Sequence, residues 1–375
     1  MIGGGRGAFI GAVHRMAAAL DGEMELVCGA FSSNPERSKL SGADLYLDPN
    51  RVYGSYQEMI DQERKMPEDI RMDFVTIVTP NHLHFGPSKL ALENGFHVVC
   101  DKPLCFDLAQ ANELVKLVEN NNSIFGLTYN YTGYPMVKQA RQMVLQNEIG
   151  KIRRVVVSYS QGWLSTALEK TDQKQASWRT DPTKAGVGGA LGDIGTHAHN
   201  LAEYITSLEI TKVCADINKV VEGRQLDDDV NVLLKFNNGA SGTLTATQVA
   251  AGDENDLSIK IYGETGGLEW NQMQPNTLIV KKLDKPTHYY RTGVGDLYPC
   301  TVAATRLPAG HPEGYLEAFA NVYKNVAKCI QAKISKQELD PLHLDFPTVH
   351  DGLRGMQFVH KVIESGSSEK KWIQL

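Results

Sequence analysis

At 375 residues, the chain is longer than a single hydrophobic core usually supports, so two domains are expected. Hydrophobic residues make up 42% of it and charged residues 22%, which excludes a collagen, a disordered tail protein and a coiled coil. The formal net charge of -6, without a run of Lys and Arg, argues against a nucleic-acid partner. An acidic protein that handles small molecules remains.

The six cysteines are scattered along the chain without a CxxC pair, which fits neither a disulfide framework nor a zinc site. We therefore expect no bound metal and a reduced, cytoplasmic location. The N-terminus has no basic region followed by an apolar stretch, and no later segment approaches the roughly 18 apolar residues of a spanning helix. Neither export nor contact with a membrane is expected.

Residues 1–125 alternate short apolar runs with helical patterns, which predicts strands joined by crossover helices in a doubly wound parallel sheet. Ligands of such sheets bind beyond the carboxyl ends of the strands, so the segments that follow each run are where chemistry is expected. The predicted strands cover residues 25–31, 73–78, 96–100 and 123–127.

The first such segment is a G-x-G-x-x-A motif that opens a helical stretch, with Arg6 inside it. Gly3 would permit a tight turn, Gly5 would let the backbone approach a pyrophosphate, and Ala8 would allow close helix packing. A flexible glycine-rich start is the alternative. Since only Met1 and Ile2 precede the turn, we expect either a truncated first strand, with weakened dinucleotide affinity, or a missing upstream piece.

An acidic residue after the second strand normally binds the adenosine ribose of NAD. Ser32 and Ser33 occupy that region, and Arg37 follows shortly. Without a carboxylate to repel a 2′-phosphate, NADP is acceptable and slightly favoured over NAD. The alternative for Arg37 is an exposed helix residue without a binding role.

Three further motifs lie in order along the chain: residues 79–84 (TPNHLH), 100–104 (CDKPL) and 189–197 (GALGDIGTH). With the glycine-rich opening, they resemble the Gfo/Idh/MocA oxidoreductase family. The resemblance implies an N-terminal Rossmann domain that binds NAD or NADP, a C-terminal α+β domain with an open, mostly antiparallel sheet, and an active site between them. It also implies oxidation of a secondary alcohol of a sugar or a cyclitol such as an inositol, or the reverse reduction, by a homodimer or homotetramer.

The resemblance places the catalytic group on Lys102, Asp193 and His197, and Asp101 stands where the family has Glu. The residues themselves agree, because Asp193 and His197 are four apart in a segment with helical periodicity and would share one face. A histidine suits removal of a hydroxyl proton, and a lysine stabilises negative charge on the alcohol oxygen. We expect His197 to be the base, although His197 and Lys102 could exchange roles. The alternative is a helix-start Asp and a core His.

Further candidates follow the other strands. Cofactor contacts are expected from the loops after the predicted runs 73–78 and 96–100: Thr79, Pro80, Asn81, His84, Asp101 and Lys102. Asn81 is equally well explained as a helix cap. Substrate contacts are expected from Lys102, Asp193 and His197 together with Tyr129, Trp178 and Arg179, the last two by resemblance; a Trp at a domain edge is the alternative.

Residues 126–375 carry longer alternating runs, which predict a substrate-binding and oligomerisation domain with an antiparallel sheet and helices on one face. An Asn-Asn-Gly at 237–239 predicts a hairpin between runs 229–236 and 241–247. The acids at 227–229 predict a solvated turn. Two other functions remain open: a glycosidase that uses NAD for transient oxidation, and a sugar sensor with a vestigial site.

Overall fold

The computed structural model describes all residues from Met1 to Leu375, which form two compact units. Unit 1 consists of Met1–Asn130 and Phe319–Leu353, and unit 2 of Tyr131–Ala318 and Arg354–Leu375. The predicted domains, 1–125 and 126–375, differ from this division because no pattern in the sequence indicates that residues 319–353 return to the first unit. None of the helices combines the length and the apolar character that a bilayer crossing requires.

Unit 1 contains a four-stranded sheet in the order β1-β2-β3-β4, and all of its pairings are parallel. The parallel sheet with intervening helices confirms the predicted class. Its strands are β1 (Ile2–Gly3), β2 (Phe74–Val78), β3 (His97–Cys100) and β4 (Phe125–Leu127). Its first five helices are α1 (Phe9–Ala19), α2 (Pro35–Asp44), α3 (Tyr56–Glu63), α4 (Phe85–Glu93) and α5 (Leu108–Asn121).

The predicted strand at residues 25–31 is wrong. Only Gly29 and Ala30 pair there, in isolated bridges to Val52 and Ile2. A ladder needs a partner of similar length, and β1 offers only two residues, so the apolar run cannot extend its pairing. The short first strand itself is present and pairs Ile2 with Ile77 of β2.

Unit 2 is built on a nine-stranded sheet in the order β12-β11-β10-β9-β5-β8-β7-β6-β13. Only β5 and β8 pair in parallel, so the prediction of a mostly antiparallel sheet is confirmed. The strands are β5 (Arg154–Ser160), β6 (Ile210–Asn218), β7 (Asp229–Phe236), β8 (Ser241–Thr247), β9 (Asp256–Tyr262), β10 (Gly266–Asn271), β11 (Thr277–Lys282), β12 (Lys285–Arg291) and β13 (Ile373–Gln374).

The helices of unit 2 are α6 (Pro135–Leu145), α7 (Lys174–Arg179), α8 (Pro182–Ala185), α9 (Thr196–Thr206) and α10 (Pro299–Ala303). The unit boundaries fall within the last two helices, α11 (Tyr315–Ser335) and α12 (Val349–Ser367). Strict alternation buries Val230, Val232, Leu234 and Phe236 of β7 on one face of the sheet. These side chains belong to a core that also includes Leu201 and Ile205 of α9.

Residues 319–353 complete unit 1 through backbone and side-chain contacts. The Leu127 amide donates to the Pro347 carbonyl at 2.8 Å, and Gly126 forms an antiparallel bridge with Thr348. Lys328 on α11 pairs with Glu23 at 2.6 Å. The last strand of the parallel sheet is therefore covered by a segment that follows it by about two hundred residues.

Candidate functional site

The turn between β1 and α1 has the geometry of a dinucleotide-binding turn. Gly3 has φ +80°, and a Cβ there would lie 3.0 Å from Thr79 Cγ2. A Cβ on Gly5 would lie 2.6 Å from Ser41 Oγ, so only glycine lets the backbone take this path. Ala8 is the N-cap of α1 and provides no side-chain cap, so the first amides of the helix can receive an anion. The residues present therefore fit the pyrophosphate of a dinucleotide.

Gly11 lets the helix α1 pack closely against the glycine-rich turn. A Cβ on Gly11 would lie 2.3 Å from Gly4 Cα, so this glycine lets α1 contact the turn. The packing role of Ala8 stays a prediction, to which the structure adds Gly11. Gly4, with φ +72°, and Gly11, one turn into the helix, were the unused signal in the sequence.

The candidates for the adenosine end of the cofactor lie on and before α2. The Arg6 guanidinium forms a two-point ion pair with Asp44, and the Arg6 amide donates to Ser41 Oγ at 3.1 Å. Ser32 Oγ accepts from the Asn34 amide, and Ser33 is exposed. Arg37 is exposed and takes part in no ion pair. A free guanidinium near two serines is compatible with a phosphate ligand.

The loop after β3 is held by the Asp101 carboxylate. Its Oδ1 accepts from the Lys102 amide at 2.9 Å and from the Thr128 hydroxyl at 2.8 Å. The Lys102–Pro103 peptide is cis. The shorter arm of Asp relative to Glu thus still reaches two donors, both from the ends of neighbouring strands.

His84 ties the loops after β2 and β3 together. Its Nδ1 lies 2.7 Å from the Pro103 carbonyl and its Nε2 lies 2.8 Å from the Thr79 carbonyl. Burial lowers the pKa of this imidazole. A neutral ring carries one hydrogen and can donate to only one of these two carbonyls, so His84 lies between the two loops, and its contact with the cofactor stays a prediction. Asn81 is buried and begins the short helix Asn81–Leu83, whose N-cap is Pro80, without a side-chain cap. The alternative of a capping Asn is therefore wrong, and the cofactor contact of Asn81 stays a prediction.

Asp193 and His197 do not share the continuous α-helix that their spacing predicts. Residues Leu191–Gly195 form a π-helical turn, and α9 begins at Thr196. A π-turn takes more residues per revolution than an α-helix, and such turns are frequent at functional sites. Asp193 Oδ2 accepts from Arg179 Nε at 3.1 Å and from Gln248 Nε2 at 2.9 Å.

His197 is buried and lies edge-on to two tyrosine rings. Its centroid is 4.9 Å from that of Tyr131 and 6.2 Å from that of Tyr159. The two tyrosine hydroxyls are hydrogen-bonded to each other, and Tyr159 donates to Asn255 Oδ1 at 2.7 Å. Burial raises the pKa of Tyr131, and the Asp193 charge adds to this, so the hydroxyl stays protonated at neutral pH. Sequence reasoning missed these tyrosines, because they lie far from His197 along the chain.

Amide side chains connect the tyrosines to Asp193. Gln161 Nε2 donates to Asn255 Oδ1 at 2.7 Å, and Gln248 Nε2 lies 3.3 Å from Gln161 Oε1. Gln248 also donates to Asp193, so hydrogen bonds link Asp193 and Tyr131 by way of Gln248, Gln161 and Asn255. The groups around His197 are thus fixed relative to one another within unit 2.

The Arg179 guanidinium lies over two indole rings, 4.3 Å from the Trp178 centroid and 5.9 Å from that of Trp163. The prediction that Trp178 and Arg179 accompany Asp193 fits this arrangement, which adds Trp163 as a partner that the sequence did not reveal. Two apolar faces beside a carboxylate and a guanidinium can contact both the C–H faces and the hydroxyls of a polyol.

The acids at 227–229 are not a solvated turn, since Asp227 and Asp228 are buried. Asp227 accepts from the amides of Gly189 and Leu191, both at 2.7 Å, and so holds the start of the π-turn. Asp228 pairs with Arg224 at 3.1 Å, and Arg224 also pairs with Glu169. The prediction was wrong because Asp227 is bound by amides more than thirty residues away and Asp228 is enclosed with Arg224 in a buried ion pair.

The remaining candidates are less informative. Tyr129, which follows β4, is 1% exposed, and its contact with the substrate stays a prediction. Unit 1 accordingly offers an anion-binding turn, a loop with Lys102 and a loop with Thr79. Unit 2 offers a carboxylate and an imidazole among aromatic and amide side chains, a set suited to proton transfer with a hydroxylated ligand.

The chain matches two family descriptions. Residues 1–129 match "Oxidoreductase family, NAD-binding Rossmann fold", and residues 137–269 match "GFO/IDH/MocA C-terminal domain". The uncharacterized oxidoreductase YfiI of Bacillus subtilis is 34% identical over 377 residues, covering 100% of this chain and 95% of that protein. The levoglucosan dehydrogenase of Pseudarthrobacter phenanthrenivorans is 28% identical over 305 residues, 75% of either protein.

A crystal structure of an inositol dehydrogenase homolog from Azotobacter vinelandii, complexed with NAD+, has a similar fold. Its TM-score is 0.95 at 34% sequence identity, covering 100% of this chain and 96% of that one. Both the sequence and the fold therefore match oxidoreductases over their full lengths.

Proposed function

The chain belongs to the Gfo/Idh/MocA oxidoreductase family and is an NAD(P)-dependent dehydrogenase acting on CH–OH groups, and from that premise we propose that its substrate is a sugar or a cyclitol such as an inositol. The observation that carries the proposal is the surroundings of Asp193, where Arg179 and Gln248 bind the carboxylate and Trp178 lies against the guanidinium. Aromatic faces beside charged and amide side chains suit a polyhydroxylated ring. Relatives named for inositol and levoglucosan support the same substrate class.

The oxidation breaks one C–H and one O–H bond of the alcohol and leaves a ketone. The chemistry that a bound nicotinamide supplies is acceptance of the hydrogen from carbon with both bonding electrons. We propose that His197 accepts the hydroxyl proton as general base. Lys102 orients the alcohol oxygen and stabilises its developing negative charge, and Asp193 hydrogen-bonds Lys102 or a neighbouring substrate hydroxyl. In the reverse direction His197 returns the proton to the oxygen.

Substrate recognition is proposed for Trp178 and Arg179, whose stacked side chains would contact the C–H face and hydroxyls of the ring, with Tyr129 as a further contact. The cofactor would be held by the Gly3–Ala8 turn and by the loops at Thr79–Asn81 and Asp101–Lys102. We expect the protein to act as a homodimer or homotetramer.

We propose that NADP is accepted at least as well as NAD, because Arg37 is exposed and without an ion pair beside Ser32 and Ser33. Arg37→Glu is expected to weaken binding of NADP⁺ about tenfold, or about 1.4 kcal/mol, and to leave NAD⁺ binding nearly unchanged. Quenching of tryptophan fluorescence by each nucleotide measures both affinities. Lys39→Glu makes the same charge change on the same helix and is the control. Equal loss for both nucleotides would exclude a 2′-phosphate contact.

The test of the proposed function follows the absorbance of reduced nicotinamide while NAD⁺ and NADP⁺ are each offered with inositols, aldoses and sugar acids. The Lys102→Ala protein serves as the blank. Turnover that is present in the wild type and absent in the blank supports the proposal. Release of an aglycone without net reduction would favour a redox-assisted glycosidase, and ligand-dependent stabilisation without turnover would favour a sensor.

A further inference from the structure

A buried histidine contacts the residue that precedes Lys102. His14 of α1 is fully buried, and its Nδ1 lies 2.7 Å from the Tyr323 hydroxyl. Its Nε2 lies 4.0 Å from Asp101 Oδ2 and has no hydrogen-bond partner. The Phe319 ring meets the imidazole edge-on at 4.7 Å. Nothing in the sequence pattern connects these residues, because His14 and Tyr323 are 309 positions apart.

The surroundings of His14 select one of its two neutral tautomers. Burial lowers the pKa of His14 to about 4, so the ring carries a single hydrogen at neutral pH. With that hydrogen on Nδ1, the lone pair of Nε2 would face the Asp101 carboxylate. With it on Nε2, the N–H faces the carboxylate, and Nδ1 accepts from the Tyr323 hydroxyl. The second arrangement replaces a repulsion by an attraction.

The Tyr323 hydroxyl also lies 3.3 Å from the Thr76 hydroxyl on β2. When Tyr323 gives its single hydrogen to Nδ1 of His14, its oxygen is left to accept from the Thr76 hydroxyl. The Asp101 carboxylate is bound at its other oxygen by the Lys102 amide and the Thr128 hydroxyl. A row of polar groups therefore runs from β2 to the backbone of Lys102. At 4.0 Å the contact between His14 Nε2 and Asp101 Oδ2 is longer than a hydrogen bond, and catalytic contacts that are long in the free enzyme commonly shorten in the substrate complex.

We propose that His14 and Tyr323 are positioning residues for the hydride transfer: the Nε2–H of His14 holds the Asp101 carboxylate, which fixes the backbone of Lys102. The inference rests on the proposed function of Lys102. It assigns no contact with substrate to either residue.

The first test is spectroscopic and needs no substrate. Nitrogen-15 spectra of the protein labelled at histidine distinguish the two neutral tautomers, and the signals of His14 are those absent from the His14→Gln protein. We expect the Nε2–H tautomer in the wild type and a shift of its signals in Tyr323→Phe. An Nδ1–H tautomer in the wild type would overturn the proposal, whether or not the protein turns over a sugar.

The second test compares two replacements at position 14. The amide of Gln reaches about as far as Nε2 and can donate to Asp101, whereas the amide of Asn reaches about as far as Nδ1. We expect kcat of His14→Gln to exceed that of His14→Asn by about tenfold, with nucleotide Kd within about twofold in both. An equal or reversed order of kcat contradicts the positioning role.

Tyr323→Phe keeps the ring and removes only the hydroxyl. We expect about a tenfold lower kcat with unchanged nucleotide affinity, and unchanged turnover would contradict the proposal. Tyr53→Phe is the matched control, because Tyr53, like Tyr323, is a buried tyrosine of unit 1. Its hydroxyl donates to the Glu63 carboxylate. If the wild type turns over no polyol, the proposed function fails, and the tautomer alone then decides the role of His14.

Discussion

Replacement of His197 by Ala is expected to lower kcat/KM by about two to four orders of magnitude, the usual contribution of a general base. In the wild type, kcat/KM should rise with pH as the base loses its proton. This acid limb should disappear in His197→Ala and persist, at a lower rate, in Lys102→Ala. The pH profiles of the three proteins, measured from reduced-nicotinamide absorbance with a saturating nucleotide, check the assignment.

The opposite result is as informative. If the acid limb persists in His197→Ala and disappears in Lys102→Ala, the lysine is the base and the imidazole is its support. Since His197 is buried against Tyr131 and Tyr159, circular dichroism must show that the variant is folded, and His197→Asn offers a less drastic change. His288→Ala removes an exposed histidine of the same unit and should leave the profile unchanged.

The second large effect is expected on stability. Glu63 of α3 is fully buried, pairs with Arg51 at 2.7 Å, and accepts from the Tyr53 hydroxyl and the Met72 amide. Glu63→Gln leaves the guanidinium without its counter-charge and should lower the free energy of unfolding by about 3 kcal/mol. Urea titration followed by circular dichroism measures the change, and a loss below about 1 kcal/mol would contradict this account.

The sign of the pH dependence follows from the same contacts. Burial by itself raises the pKa of Glu63, but the bonds from Arg51, the Met72 amide and Tyr53 outweigh it, so the pKa lies below its ordinary value. The stabilisation is therefore complete above the ordinary carboxyl pKa of about 4.3 and is lost as pH falls through the lower folded value. Asp61→Asn is the control, because Asp61 lies on the same helix but pairs with Arg64 and Lys65 at the surface.

Sequence patterns predicted the elements whose formation depends mainly on residues that are neighbours in the chain. The alternation in residues 229–236 and 241–247 and the Asn-Asn-Gly between them predicted β7, β8 and their hairpin, since each signal involves neighbours in the chain. The run at 25–31 failed because strand formation also needs a partner, and β1 is too short to be one.

The same distinction holds for the candidate site, where features that depend on nearby residues were predicted and those that depend on distant residues were not. The glycine-rich turn has the expected form, whereas the motifs put Asp193 and Arg179 in one candidate site without predicting that they pair. The Tyr131 and Tyr159 rings against His197, and the buried Asp227 under the π-turn, could not be predicted, because their partners come from strands and loops far along the chain. The π-turn could not be predicted either, because Asp193 and His197 are four residues apart whether the turn between them is π-helical or α-helical.

The return of residues 319–353 to unit 1 has a consequence for synthesis on the ribosome. A domain formed by one continuous segment can fold as soon as it leaves the exit tunnel. The parallel sheet of unit 1 cannot acquire its Pro347 and Thr348 pairings, or the Tyr323 contact with His14, until nearly the whole chain has been made. The nucleotide-binding unit, although its strands are encoded first, therefore cannot finish folding before residues 319–353 have been made.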